Sequence, residues 1–233
     1  MCGRFSLISS EELIKKIFCL NRAPLQRRFN IAPSQDAPVI RVSHDGEGRE
    51  MVWMRWGLIP PWAKDPSIGS RMINAKSETL FDKPSFRKAA RTRRCLIPAD
   101  GFFEWRKENN GKQPYYIHLD DESPFAMAGL WEAWQAEDGA LLETFTIITT
   151  DANELIQPIH DRMPAILSPE ACNAWLDPNQ NNPETLQSLL QPYDPKKMAL
   201  RPVSKTVNNP RNDDPSCIEA IEENLSSGEP LLF

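Results

Sequence analysis

No stretch of the 233 residues is apolar for long enough to span a bilayer, and the start of the chain lacks a basic region followed by an apolar run. These absences predict a cytoplasmic protein with no membrane partner. Cysteine is sparse. Cys2, Cys19, Cys95, Cys172 and Cys217 form no CxxC pair and have no metal-ligand spacing with the three histidines. The usual structural zinc sites are thereby excluded, and a reduced protein with no metal and no cofactor is expected. Positive charge is in deficit. A formal net charge of -5 excludes a protein that coats duplex DNA by electrostatics alone, although a local basic groove is compatible with it. There is no internal repeat, low-complexity block or convincing domain boundary. A chain of this length can bury its own core, and a monomer is expected.

Proline and tryptophan, by contrast, are plentiful. Twenty-one prolines and seven tryptophans predict many fixed loops and aromatic surfaces around a compact core. The opening Met1-Cys2-Gly3-Arg4-Phe5 is the most unusual stretch chemically. If Met1 is removed, Cys2 carries an α-amine that titrates near ~7.7–8.0 beside a thiol that titrates near ~8.5. One residue would then offer two nucleophiles. The bland alternative is a small core cysteine near a fraying terminus.

Along the chain, Ser9 and Glu12 have capping-box spacing ahead of Leu13, Ile14, Ile17 and Phe18, which predicts an amphipathic helix. Arg27 to Pro33 reads as irregular. Strands around Val39–Val42 and Met51–Trp56 flank the turn His44-Asp45-Gly46-Glu47-Gly48 as a hairpin. Further strands are expected at Pro114–Leu119, Phe125–Leu130 and Phe145–Thr150. Helices are expected from Ser168-Pro169 through Trp175 and from Pro183 to Leu190. Leu200 to Asn209 reads as a late strand running into an Asn-rich turn, with a peripheral acidic tail beyond Asp213.

Four places could carry chemistry. The GLIPPWAK loop displays Trp62. In the segment around Asn74 and Lys76, an amide and a mobile cation could face a cleft or simply cap a turn. Glu104, between Phe103 and Trp105, is either an ordinary outward-facing glutamate or, in a cleft, a desolvated acid with a raised pKa. His160 lies between Pro158 and Pro164, where proline-fixed loops allow accurate positioning. The basic run from Phe86 to Arg94 is expected to be a solvated face.

Six segments in order, MCGRF, RFNIAPSQ, INAKSET, PADGFFEW, IHDRMPAIL and PVSKTVNN, resemble the SOS response-associated peptidase family. The resemblance runs from Met1 to about Asp214. It implies a domain over 1–214, an acidic tail over 215–233, and the family's chemistry, a covalent thiazolidine between an N-terminal cysteine and abasic sites in single-stranded DNA. It implies that Cys2 is the nucleophile, that Glu104 helps open the sugar ring, that His160 exchanges protons around the Schiff base, and that Asn74 orients the Cys2 amine. Arg4, Lys76, Asn30 and Trp62 match positions expected to meet DNA. Lys76 stands where relatives commonly have arginine, so that contact loses bidentate geometry. Self-removal of Met1 and Schiff-base lyase activity belong to the same implication. Two rival readings share part of the pattern. An N-terminal-nucleophile glutamine amidotransferase could begin Met-Cys-Gly, and a non-catalytic single-strand binding module could use Trp62 and the basic residues. The expected fold is one α+β domain whose curved, mostly antiparallel, barrel-like sheet carries the cleft, with helices outside.

Overall fold

A computed structural model describes residues 2–109 and 111–221. Met1, where N-terminal processing is expected, and 222–233, most of the expected tail, lie outside the described residues. In chain order the strands are β1 (Phe5–Leu7), β2 (Arg28–Ile31), β3 (Asp36–Val42), β4 (Arg49–Trp56), β5 (Asn74–Lys76), β6 (Arg94–Ala99), β7 (Gly101–Glu108), β8 (Gly111–Leu119), β9 (Phe125–Gln135), β10 (Leu141–Asp151), β11 (Arg162–Pro164), β12 (Ile166–Leu167) and β13 (Met198–Pro202). The helices are α1 (Glu11–Phe18), α2 (Ala89–Thr92), α3 (Pro169–Leu176) and α4 (Pro183–Ser188).

Five strands close on themselves in the order β10-β4-β3-β6-β9, with β9 returning to β10. Closure pairs the strand edges and makes a small barrel, which side chains fill. The pairings are antiparallel except β10 with β4 and with β5. A second sheet, ordered β13-β8-β7-β1-β2, leans on the barrel. An aromatic chain joins the two. Phe5 of β1 meets Trp56 of β4 edge-on at 5.2 Å, and Trp56 stacks on Phe145 of β10 at 6.1 Å. These rings pin the start of the chain against the barrel. The α+β, mostly antiparallel, barrel-like expectation describes this architecture.

The hairpin of β3 and β4 and both later helices form as their sequences indicate, with Ser168 capping α3 at the Ala171 N–H. Four details differ. The N-cap of α1 is Ser10, which accepts from Leu13 N, because Ser9 instead bonds the Asp100 carboxylate. The segment around Arg28 is strand β2, which its pairing with β1 draws into the sheet. The basic run is not uniformly solvated. Arg94 is buried and donates to five carbonyls, those of Ala90, Arg91, Trp175, Asp177 and Gln180, at 2.5–3.1 Å. The C-terminal region is not peripheral from Asp213 onward. Pro215–Cys217 form a 3-10 turn with Cys217 buried, and Ala220 bridges to Val203.

That region matters for the second sheet, whose two faces are both covered. Phe5, Leu7 and Phe102 pack toward the barrel. On the opposite face, Phe103 and Tyr116 form a smaller core with Val203, Val207 and Cys217, against which Phe29 and Trp105 pack.

Candidate active site at the start of the chain

The central pairing is between β1 and β7, a hundred residues apart in sequence. Phe5 lies opposite Phe102 and Ser6 opposite Gly101, and Phe103 N donates to Arg4 O at 2.9 Å. Continuing that register toward the N-terminus sets Gly3 beside Glu104. Strand alternation then sends Glu104 to the Phe102 face, toward the barrel, and Phe103 and Trp105 to the other. Glu104 is 3% exposed. The buried alternative therefore holds, and desolvation pushes its carboxyl up to about 7.

Cys2 is fully buried in the main core. Burial, reinforced by the Glu104 carboxylate, pushes its thiol up to about 12, against the opposing pull of the Arg4 backbone N–H. The thiol is thus held protonated at neutral pH, unlike a free cysteine.

His160 comes from the turn before β11. Its Nδ1 accepts from Arg162 N at 3.0 Å, which leaves the proton of the neutral ring on Nε2. The same nitrogen lies 2.9 Å from Asp161 Oδ1, a contact that is attractive only once the ring is protonated. Partial burial outweighs the exposed Asp161, and the His160 pKa falls below its ordinary value. Asp161 also acts electrostatically on Glu104, raising its pKa slightly further, as Glu104 in turn does to the Cys2 thiol.

Asn74 begins β5, opposite Ile147 of β10. Its Nδ2 donates to Ile73 O at 3.0 Å, whereas its buried Oδ1 has no partner among the described residues. The loop leading to β5 is held by a backbone approach. Gly57, at φ +129°, passes so close to Gly69 that a Cβ would meet its carbonyl oxygen at 2.6 Å. Trp62 sits on this loop, 60% exposed. Lys76, at the end of β5, is exposed and makes no ion pair among the described residues.

Arg4 faces the other way, into the smaller core. Its Nη1 donates to Asn30 Oδ1 at 2.8 Å and Val207 O at 2.6 Å, and the guanidinium lies 5.8 Å from the Trp105 ring. No carboxylate pairs with it among the described residues. Such a fixed, uncompensated guanidinium suits an anion. Asn30 is fully buried, and its amide is committed to Arg4 and to the carbonyls of Val207, Asn209 and Asn212. It touches Arg4 rather than solvent.

The structure therefore buries Cys2 and Glu104 with each acting on the other's charge, places His160 beside Asp161 on the turn before β11, sets Asn74 and Lys76 on β5 beside β10, and leaves Trp62 on an outer loop. Sequence reasoning missed Arg162. It is 7% exposed, donates to both oxygens of Glu78, to Asp151 and to Thr149 O, and sits within the motif that carries His160. Among the described residues no cluster of His, Cys, Asp and Glu could hold a metal, and no helix is long and apolar enough to cross a membrane.

Comparison with known proteins matches residues 1–210 to the profile of the family described as SOS response associated peptidase (SRAP). The chain is 47% identical over 225 residues to the abasic site processing protein YoqW of Bacillus subtilis, covering 94% of this chain and 100% of that protein. It is 34% identical over 235 residues to the abasic site processing protein HMCES of Xenopus tropicalis, covering 88% of this chain and 70% of that one. A crystal structure of a Bacteroides thetaiotaomicron protein superposes with a TM-score of 0.83 at 33% identity, covering 94% of this chain and 100% of that one.

Proposed function

The chain belongs to the SOS response associated peptidase family, and we propose that it captures abasic sites in single-stranded DNA through Cys2 once Met1 is removed. The observation that carries this reading is the desolvated pair of Cys2 and Glu104, a masked thiol beside a carboxyl that exchanges its proton near neutrality. Relatives bearing the words abasic site processing in their names support it.

In this reading protonated Glu104 delivers its proton to the ring oxygen of the deoxyribose as the C1′ hydroxyl loses its own, opening the sugar to an aldehyde. The neutral Cys2 amine adds to the aldehyde carbon, and loss of one water leaves an imine. His160, neutral at pH 7, takes up the proton released by the amine, with Asp161 beside the ring to steady the imidazolium. Oδ1 of Asn74, which has no partner among the described residues, orients an amine N–H. The thiol then forms the S–C bond, its proton passes to the imine nitrogen, and a thiazolidine closes. Ring closure is intramolecular and gains from effective molarities of roughly 10⁵ M or more. A thiol held protonated until this step does not compete with the amine for the aldehyde. Arg4 and Lys76 hold flanking phosphates, and Trp62 stacks on a base. Lyase chemistry from the same imine, and self-removal of Met1, are further activities of this reading.

The test uses the protein with a native Cys2 terminus and a single-stranded oligonucleotide bearing one abasic site. A denaturation-resistant complex is expected, absent with Cys2→Ala and with undamaged DNA. Its absence from the wild type, or its persistence in Cys2→Ala, refutes the proposal. Ammonia release from glutamine would favour the amidotransferase instead, and equal retention of undamaged strands the plain binding module.

A further inference from the structure

The segment after β13, read from sequence as an Asn-rich turn, is built around one side chain at the reactive end of the chain. Asp213 anchors it. The Oδ1 atom accepts from the consecutive backbone N–H groups of Phe29 at 2.5 Å and Asn30 at 2.9 Å, and the Oδ2 atom pairs with Arg28 Nε. Asn30 stands next in line. Its two Nδ2 hydrogens are shared among Asn212 O at 2.7 Å, Val207 O at 3.2 Å and Asn209 O at 3.2 Å, which turns Oδ1 toward Arg4 Nη1. Val207 O accepts from the same Arg4 nitrogen, and Asn208 Oδ1 accepts from Trp105 Nε1 at 2.7 Å, fixing the ring beside the guanidinium. Two oxygens thus hold Arg4 by a single nitrogen, and among the described residues no acid pairs with it.

We infer that Asp213 and Asn30 are positioning residues for DNA capture: the loop from Val203 to Cys217 sets the orientation in which Arg4 meets a backbone phosphate. The inference rests on the proposed abasic-site reading and extends it to residues that never touch DNA. A fully buried Asn30 explains why an amide inside the RFNIAPSQ motif can govern binding without contacting the strand.

The probe is a single-stranded oligonucleotide with one tetrahydrofuran abasic analogue, which has no aldehyde and cannot cross-link. Its affinity is measured over a range of salt concentrations. Loss of one phosphate contact lowers the salt slope by about 0.7. Arg4→Ala is expected to show this loss, Asn30→Ala to reproduce it, and the double variant to lose no more than Arg4→Ala alone. Asp213→Asn, which keeps the side-chain size and one acceptor oxygen, lowers the slope in the same direction and stands in for Asn30→Ala if that variant fails to fold. On an authentic abasic strand the variants raise the DNA concentration for half-maximal cross-linking by a larger factor than they lower the limiting rate. A wild-type slope in Asn30→Ala and Asp213→Asn, or in Arg4→Ala itself, overturns the inference. These outcomes are separate from the fate of the capture chemistry, which fails only if authentic abasic DNA forms no adduct with the wild type.

Discussion

Arg162 grips Glu78 through both carboxylate oxygens, at 2.7 Å and 3.0 Å, and so ties the segment that carries Asn74 to the one that carries His160. The same guanidinium reaches Asp151 at 2.6 Å and Thr149 O at 2.6 Å, so the end of β10 is clamped between them. A planar fork is needed for this arrangement, and an ammonium cannot copy it. Arg162→Lys is expected to lower the adduct rate at saturating DNA by roughly tenfold or more, since misplacement of about 1 Å costs up to ~10² in rate. Single-turnover cross-linking measures it. The Glu78 carboxyl is desolvated, which opposes ionisation, yet the bonds from Arg162 hold it below its ordinary value of 4.5. Stability from this pair is therefore present above 4.5 and is lost as pH falls through the depressed value. Glu78→Gln should flatten that acid limb in urea titrations.

The pH profile of capture should be a narrow bell. In the proposed mechanism His160 acts as a base only when neutral, so the rate rises with pH through a pKa below 6.5. Glu104 works as an acid only when protonated, so the rate falls again as pH passes about 7. Glu104→Gln removes the falling limb and lowers the maximum while leaving DNA affinity intact. It should also change stability. A carboxyl raised from 4.5 to about 7 by burial destabilises the fold progressively across that interval, so Glu104→Gln melts higher than wild type at pH 8 and gains little at pH 4.5. A profile unchanged by the substitution would remove Glu104 from the mechanism.

Amine and thiol should separate cleanly. Cys2→Ser keeps the α-amine but replaces the sulfur, so borohydride should trap a reduced imine with abasic DNA whereas the untreated reaction leaves no adduct of comparable stability. A peptide extension in front of an intact Cys2 converts the amine to an amide, and both products should disappear. Intact mass of the adducts decides both points.

Arg94 offers a test of stability apart from chemistry. Among the described residues its guanidinium has no carboxylate partner within hydrogen-bond reach and instead satisfies five carbonyls, several at the C-terminal ends of α2 and α3, where helix dipoles favour a cation. Burial lowers its pKa, but guanidinium remains charged. Arg94→Met leaves those acceptors bare and should cost at least about 3 kcal/mol in urea unfolding. The cross-linking rate per folded molecule should not change, because Arg94 touches none of Cys2, Glu104 or His160.

Local signals were legible where local physics decides. The turn between β3 and β4, the serine cap of α3 and the proline loop that displays Trp62 depend on neighbours in sequence. Glu104 was not legible in the same way. Alternation along β7 says which residues share a face, but not which face is wet, and here the barrel covers one face and the C-terminal loop the other. Asn30 was read as meeting DNA because its motif suggested it, and only long-range packing against 207–213 shows it turned inward onto Arg4. Arg162 went unnoticed beside His160 because its partners, Glu78 and Asp151, are distant in the chain or separated from it by a turn.

By itself the sequence determined the groups that the proposed chemistry uses, namely an α-amine and a thiol on one residue once Met1 is gone, with a carboxylate, an imidazole and a guanidinium, and the order of motifs that identifies the family. The tertiary structure decided their states. A thiol pushed up to about 12, a carboxyl pushed up to about 7 and an arginine held without a counter-charge among the described residues all follow from burial and from partners brought in across a hundred residues or more. Protonation and orientation are set by the free energy of a charge in its surroundings, and those surroundings exist only after β1, β7 and the C-terminal loop have come together.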